Sequence, residues 1–373
     1  MNICILKENK SNEFRTPLIP KDIKRLKKKF PKYNFYIEPS KNRIFSDNLF
    51  YKSGCKKYNS QNIDLFLSVK EVSTKKIKKN QNFMMFSHTV KGQEYNMSLL
   101  RKILKNDCSL IDYELLKDKK RNRLIGFGYF AGIVGAFLTI KKHLKIYSYS
   151  KYPYKINELV SILSKKDLKN LRILITGEGS VSKGVQFLLK KIGIKEKKNL
   201  KINKSSSYFK VLSPSEYYKR LDKKFSFKDL INGIGNYKSI FPKYFNEYNI
   251  FLSCHYWDSR FPKLFELNEV DKIFFQTIGD ITCDINGSIP STSKSATLKK
   301  PYYKFRKTDI MAVDNLPSAL PQESSEHFSK VLTSLLPSIL NSLKKESIEE
   351  FYISKKGYLN FRYINLLKNL IKT

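Results

Sequence analysis

The sequence predicts an α/β protein of two domains, each organised around a parallel β-sheet. Three observations carry that prediction. Short apolar runs alternate with helical periods from Asn2 to Leu144, the rhythm of parallel strands joined by crossover helices. Further on, Ile173-Leu174-Ile175-Thr176 feeds into Gly177-Glu178-Gly179-Ser180-Val181-Ser182-Lys183-Gly184. A segment with helical apolar spacing follows at once: Val185, Phe187, Leu188, Leu189 and Ile192. Finally, 373 residues suit about two domains, each with its own core.

In chain order, Asn2 to Leu6 reads as a first strand and Pro20 to Phe30 as an amphipathic helix. Tyr33 to Glu38 and Asp64 to Val69 read as the next strands. Met97 to Leu104 is a helix between the strands Phe83 to Ser87 and Ser109 to Asp112. A glycine-studded helix runs from Gly126 to about Leu144, its small residues suited to close packing. The Ser/Lys-rich stretch Ser148 to Lys155 marks the boundary. The expected division is residues 1–150, completed by C-terminal helices in 320–373, and residues 151–319. The second domain starts in earnest at Leu171. Lys195 to Tyr208 reads as a polar loop, and Tyr208 to Leu212 as the strand after it. Further strands are expected at Ile250 to Leu252, Ile273 to Phe275 and Met311 to Val313. Ser324 to Leu343 has a helical period with Pro337 as a kink, and a short helix ends the chain near Tyr363 to Ile371.

The strand–glycine–helix unit has the physical form of a pyrophosphate cradle. Glycines let the backbone approach an anion, and the helix start supplies free N–H groups and partial positive charge. Gly177, Gly179, Ser180, Val181 and Ser182 are therefore the candidate cofactor-binding turn, in a Rossmann-like domain. Ser182 stands where the fingerprint has its third glycine, and Gly184 comes two places later. An ordinary tight turn is the plain alternative. NAD-selective folds place an acid at the end of the next strand to bind the ribose hydroxyls. Here Ser213 follows that strand, with Lys204, Ser205 and Ser206 nearby. NADPH is therefore favoured, with NADH left open.

Composition bounds the partners. The chain holds 71 basic and 33 acidic residues, a formal charge of +38, which first suggests nucleic acid. The excess is mostly lysine spread along the whole length, and no RNA-binding strand or basic zipper accompanies it. Small anionic molecules are the expected ligands, not nucleic acid. Cys4, Cys55, Cys108, Cys254 and Cys283 are scattered without C-x-x-C spacing, so neither a disulfide framework nor a metal site is implied. The most apolar stretch, Leu124 to Ile140, is diluted by four glycines and runs into Lys141-Lys142, so no membrane span is expected. Residues 1–6 lack the form of a signal peptide. A cytoplasmic protein is the expectation.

An ordered set of segments resembles the lysine-forming saccharopine dehydrogenases and lysine-ketoglutarate reductases, within the alanine dehydrogenase-like superfamily. The segments are Lys7-Glu8-Asn9-Lys10-Ser11-Asn12-Glu13-Phe14-Arg15-Thr16-Pro17, Val69-Lys70-Glu71 and Phe86-Ser87-His88-Thr89-Val90-Lys91-Gly92-Gln93. Ile111-Asp112-Tyr113-Glu114, Phe127 to Gly132 and the glycine turn continue the series. Tyr256 to Pro262, Asp280 to Asp284 and Val313 to Pro321 complete it. The glycine turn and the W-D-S-R-F-P block look more like the reductase half of the bifunctional lysine-degrading enzyme than like the fungal enzyme. The resemblance implies an active site in an interdomain cleft, a nicotinamide cofactor, and chemistry that joins or splits lysine and 2-oxoglutarate through saccharopine. It also implies that a glutamate-forming second step needs another protein, for which this chain lacks room.

Proton transfers accompany each stage of such chemistry. The resemblance gives acid/base work to Lys70 and His88, and electrostatic tuning to Glu71 and Glu114. Both candidates end predicted strands, where parallel sheets place their ligands, and His88 is one of four histidines. Arg15, with Lys10 and Lys91, matches the positions that anchor substrate carboxylates, a task that suits the guanidinium fork. Asp314, Asn315 and Leu316 resemble the loop that closes on the nicotinamide side, although Asn315 and Pro317 would favour a turn in any fold. An alanine-dehydrogenase-like amino-acid dehydrogenase and a non-catalytic dinucleotide-binding protein are the alternatives. Neither the physiological direction nor the oligomeric state is legible.

Overall fold

The computed structural model describes residues 1–90, 94–147, 152–197 and 206–366. The chain forms two compact units, Met1–Gly126 with Pro321–Thr373, and Phe127–Leu320.

The first unit opens with β1 (Asn2–Ile5), α1 (Pro20–Lys29), β2 (Asn34–Ile37), α2 (Asp47–Lys52), β3 (Lys56–Lys57) and β4 (Leu65–Leu67). It continues with β5 (Asn82–Met85), α3 (Met97–Lys105) and β6 (Ser109–Asp112). These six strands pair in parallel, in the order β6-β5-β4-β1-β2-β3. Runs such as Leu65-Phe66-Leu67, buried at every position, suit a sheet covered on both faces. α1 starts at Pro20, whose fixed φ suits a first turn, and ends in Lys27, Lys28 and Lys29, which favour the negative end of the dipole.

The second unit runs through α4 (Gly128–His143), α5 (Ile156–Ser164), β7 (Arg172–Thr176), α6 (Ser180–Lys191), β8 (Lys195–Glu196), β9 (Tyr208–Leu212) and α7 (Pro214–Tyr217). A hairpin of β10 (Tyr218–Arg220) and β11 (Tyr237–Ser239) encloses α8 (Phe227–Asn232). β12 (Ile250–Ser253), β13 (Thr277–Asp280), β14 (Tyr302–Phe305) and β15 (Thr308–Met311) complete it. The sheet order is β14-β15-β13-β12-β7-β9-β8, parallel except for β14. The chain then returns to the first unit as α9 (Pro321–Leu343), β16 (Tyr352–Lys355) and β17 (Tyr358–Leu359). β16 pairs antiparallel with β6.

Each sheet has one place where the strand order reverses. The chain leaves β1 towards β2 on one side and returns to β4 on the other; β9 and β12 flank β7 in the same way. At such points the loops leaving neighbouring carboxyl ends diverge and open a crevice.

The division falls at 126/127 and not at 150/151, because α4 packs within the second unit. Close approach between α4 and α6 decides that. A Cβ at Gly132 would lie 2.0 Å from the Val181 carbonyl oxygen, and one at Gly184 would lie 1.9 Å from that of Tyr129. Two strand expectations also move. Ile273 to Phe275 is irregular and the strand begins at Thr277; the last parallel strand is Thr308–Met311. Lys195–Glu196 is a short strand at the start of the expected loop, of which 198–205 lie outside the described residues. Phe361–Leu366 is a 3₁₀ segment, and the rest of the expected final helix, 367–371, lies outside the described residues. Among the described residues, no helix is long and apolar enough to cross a membrane.

The glycine contact makes a direct prediction. Gly184→Ala should destabilise the protein by about 3 kcal/mol, read as a lowered urea midpoint. Gly179→Ala, with nothing within 4 Å of the added carbon, should stay within about 0.5 kcal/mol.

Candidate active site

The first unit gathers its chemistry at the carboxyl ends of β1, β4, β5 and β6. After β4 come Ser68, Val69, Lys70 and Glu71; after β5 come Phe86, Ser87 and His88. Glu71 Oε1 lies 2.5 Å from His88 Nδ1, and both side chains are about a quarter exposed (26% and 28%). Burial pushes the Glu71 carboxyl up, but the hydrogen bond and charge of His88 outweigh it and hold the group below the usual carboxylate range. An ionised Glu71 accepts only, so Nδ1 carries a proton and Nε2 is the ring nitrogen left for exchange. Asn96 also donates to Glu71 Oε1, at 3.4 Å.

His88 has φ of +52°, a left-handed backbone that needs outside support. Asp112, buried at the end of β6, supplies it. The Ser87 amide and hydroxyl donate to Asp112 Oδ2 at 2.9 and 2.5 Å, while the Glu114 amide donates to Oδ1 at 2.8 Å.

Lys70 is surrounded by charge. Burial lowers its amine below the usual lysine range, the positive charges of Arg15 and Lys10 add to this, and Glu13 and Glu71 oppose it. A lowered pKa gives a lysine the neutral amine that proton transfer requires. Arg15 and Glu13 are both almost fully buried. The Arg15 fork donates to Glu13 through Nε (2.7 Å) and Nη2 (2.5 Å). The loop carrying them is pinned by α9, where Ser325 and Ser329 hydroxyls accept the Thr16 and Ile19 amides at 3.0 Å.

The structure therefore brings Lys70, Glu71, His88, Arg15 and Lys10 into one neighbourhood. Glu114 forms an ion pair with Arg123 at 3.1 Å and not with Lys70 or His88. Lys91 lies outside the described residues. Sequence reasoning passed over Glu8, Glu13 and Asp112 as site residues. In a chain with so few acids, the spacing K-E-x4-E-x-R was the available signal for the first two.

The second unit holds a cavity of about 690 Å³ at its own strand reversal. Gly177, Glu178, Gly179, Ser180 and Val181 line one side, Ser213 to Ser215 another, and Cys254, His255, Tyr256 and Thr282 a third. Its size suits a substantial part of a nucleotide. Gly177 has φ of +86°, and a Cβ there would lie 2.8 Å from His255 Cα. Gly179 caps α6, whose first amides face the turn. Burial pushes His255 down to about 3. Its ring is neutral at ordinary pH, with Nδ1 at 2.8 Å from Thr176 Oγ1, and Nε2 is buried with no hydrogen-bond partner among the described residues. Such an atom at the wall of a cavity fits a polar ligand.

Ser182 does not line this cavity. Its side chain is buried in α6, where its hydroxyl accepts from Gln186 at 3.1 Å. Asp314, Asn315 and Leu316 follow β15 at the same carboxyl edge but lie outside the cavity lining, Asp314 exposed and Leu316 buried. No acid directly follows β9. The nearest, Glu216, accepts the Ser213 amide at 2.9 Å and pairs with Lys210 at 3.2 Å.

Residues 4–134 match the family described as "Alanine dehydrogenase/PNT, N-terminal domain", and residues 256–360 match its "C-terminal domain". The glycine turn lies between the two matched stretches. Similar proteins include "Alpha-aminoadipic semialdehyde synthase" of Arabidopsis thaliana, 27% identical, covering 88% of this chain and 37% of that protein. The rat protein of that name is 25% identical, over 95% of this chain and 46% of its own length. The chain thus spans less than half of either. "Saccharopine dehydrogenase [NAD(+), L-lysine-forming]" of Candida glabrata is 26% identical over 95% of this chain and 94% of that protein. Among solved structures, an L-alanine dehydrogenase superposes with a TM-score of 0.70 at 15% identity, covering 99% and 100% of the two chains.

The buried ion pair yields a prediction. Glu13→Gln or Arg15→Met alone removes one member of this buried, doubly hydrogen-bonded pair and should cost about 3–5 kcal/mol. The double variant should cost clearly less than the sum, in a double-mutant cycle by urea unfolding.

Proposed function

Because the chain belongs to the alanine dehydrogenase/PNT superfamily, whose members use NAD(P), we propose that it is a nicotinamide-dependent oxidoreductase interconverting saccharopine with L-lysine and 2-oxoglutarate. The observation that carries this reading is the grouping of Lys70, Glu71 and His88, two proton-handling side chains and the carboxylate that orients one of them. The name of the fungal relative supports the choice of saccharopine and lysine.

In the saccharopine-forming direction, the lysine ε-ammonium must lose a proton before its nitrogen attacks the keto carbon. The carbinolamine then loses water, with a proton delivered to the leaving oxygen. His88 Nε2 is the acceptor left open by the Glu71 bond, and imidazole suits transfers near neutrality. Lys70, made less basic by burial and by the charges of Arg15 and Lys10, is the second proton site. Glu71 stabilises the imidazolium that forms when Nε2 is protonated. When bound, the nicotinamide supplies or accepts the hydride at the C–N carbon. Gly177, Gly179, Ser180 and Val181 would hold its pyrophosphate at the start of α6, and His255 would face its nucleotide.

Glu13 already takes two of the five N–H donors of Arg15. Arg15 therefore acts on Lys70 through its charge as well as on substrate carboxylates, with exposed Lys10 as the outer anchor. Ser213 leaves the ribose end of the cavity without an acid, which favours NADPH.

The test is oxidation of NADPH or NADH that depends on both lysine and 2-oxoglutarate. Lys70→Met and His88→Gln should each lower kcat about 100-fold, with the nucleotide KM changed by no more than about twofold. Full turnover in both variants, or oxidation only with pyruvate and ammonia, contradicts the reading. For the cofactor, kcat/KM should be higher with NADPH than with NADH, and Ser213→Asp should reverse the order.

A further inference from the structure

One carboxyl group at the strand reversal of the first unit is bound to backbone: burial and the nearby charge of Glu13 raise its pKa to about 8, and the Val69 and Lys70 amides that donate to it oppose that rise. Glu8, in the loop after β1, sends both oxygens to consecutive amides. Oε1 accepts the Val69 N–H at 2.7 Å, and Oε2 accepts the Lys70 N–H at 2.9 Å. The Leu6 amide still pairs with Leu67, at 2.9 Å, but β1 has ended there, and no strand continues to take up the Val69 and Lys70 amides. Glu8 takes the place of the missing strand.

The rest of the segment is tied as well. The Ser68 amide donates to the Met84 carbonyl at 3.1 Å, the Phe86 amide to the Val69 carbonyl at 3.1 Å, and the Ser68 hydroxyl to the Lys70 carbonyl at 2.7 Å. The Lys70 amide thus depends on Glu8, whereas its carbonyl is held from β4. Val69 links the clamp to Phe86, two residues before His88. Whatever holds these amides also fixes where Lys70 stands relative to His88.

We propose that Glu8 is the positioning residue for Lys70, clamping through both carboxylate oxygens the backbone from which Lys70 and Glu71 project. Above the Glu8 value of about 8 the carboxylate serves both amides with separate oxygens, and the two amides favour that ionised form. Glutamine offers one acceptor and presents an N–H to the other donor at every pH, and alanine offers none, so turnover is compared at pH 9. The functional consequence rests on the proton-transfer role given to Lys70 above. The placement itself does not. Glu8 acts by holding the backbone, since the charges that act most on the Lys70 amine are those of Arg15, Lys10, Glu13 and Glu71.

The experiment compares the wild type with Glu8→Gln and Glu8→Ala in the full chain, each first shown to be folded by circular dichroism. Two readouts are taken. In steady-state turnover with lysine, 2-oxoglutarate and NADPH, kcat should fall in the order Glu, Gln, Ala. The last step should reach about 10-fold to 100-fold, with the nucleotide KM within about twofold. In parallel, pH-dependent acetylation of Lys70 is followed by peptide mass spectrometry, with exposed Lys24 as the reference. Release from its buried place should raise the Lys70 midpoint towards that of Lys24 by about half a pH unit or more.

Unchanged kcat and an unchanged Lys70 midpoint in Glu8→Gln overturn the proposal. So does a loss of kcat that a rise in nucleotide KM matches. If Glu8→Ala does not fold, Glu8→Gln decides alone. If the wild type shows no turnover, the functional reading fails, and the acetylation midpoint still decides whether Glu8 positions Lys70.

Discussion

Parallel pairing is the constraint on which everything else depends. β1, β4, β5 and β6 run the same way, so their carboxyl ends share one edge, and every loop leaving that edge carries polar side chains into one neighbourhood. Glu8, Lys70 with Glu71, His88 and Asp112 come from the ends of four different strands and lie near one another for that reason. The same rule places Gly177, Ser213, His255 and Thr282 around one cavity in the second unit. Antiparallel pairing would scatter these loops between two edges.

Given that edge, local interactions turn proximity into geometry. The His88 backbone sits in a strained region, and buried Asp112 holds it there through Ser87. The Glu71 bond then fixes which imidazole nitrogen is open. Lys70 is kept less basic by burial and by positive neighbours, while Glu13 takes two hydrogen bonds from buried Arg15. In the second unit, Gly132 and Gly184 let α4 and α6 approach backbone to backbone. This sets where the amides at the start of α6 stand beside the cavity.

Much of this was legible in the sequence because parallel-sheet strands are nearly continuous apolar runs. Asn2 to Leu6, Asp64 to Val69 and Ile173 to Thr176 announce themselves, and whatever follows them is at the functional edge. Thr277-Ile278-Gly279-Asp280 does not, since glycine and aspartate are poor strand formers. It is nevertheless a strand: a Cβ at Gly279 would lie 2.2 Å from Thr139 Oγ1, so the glycine admits α4. The apolar run just before it, Ile273 to Phe275, drew the expectation instead, although Phe274 is 46% exposed. Partnerships were the hidden part. Glu71 with His88 spans two loops, Glu8 with Lys70 spans two strands, and Glu114 pairs with an arginine nine residues away. Each is a tertiary fact that spacing does not encode. Glu13 with Arg15 is local, but its burial is not, because α9 covers that loop from the far end of the chain.

If this edge handles the protons of a C–N bond being made between lysine and a keto acid, as proposed above, the hydride that completes the bond must appear in a product joining both. Isotope tracing tests it most directly. The protein is incubated with lysine, 2-oxoglutarate and reduced nicotinamide dinucleotide phosphate carrying deuterium at the transferred position, and the products are identified by mass spectrometry. The account predicts one deuterium in a secondary amine that contains both the lysine and the glutarate skeletons. Deuterium appearing only in glutamate or alanine, or in no amine product, would contradict it.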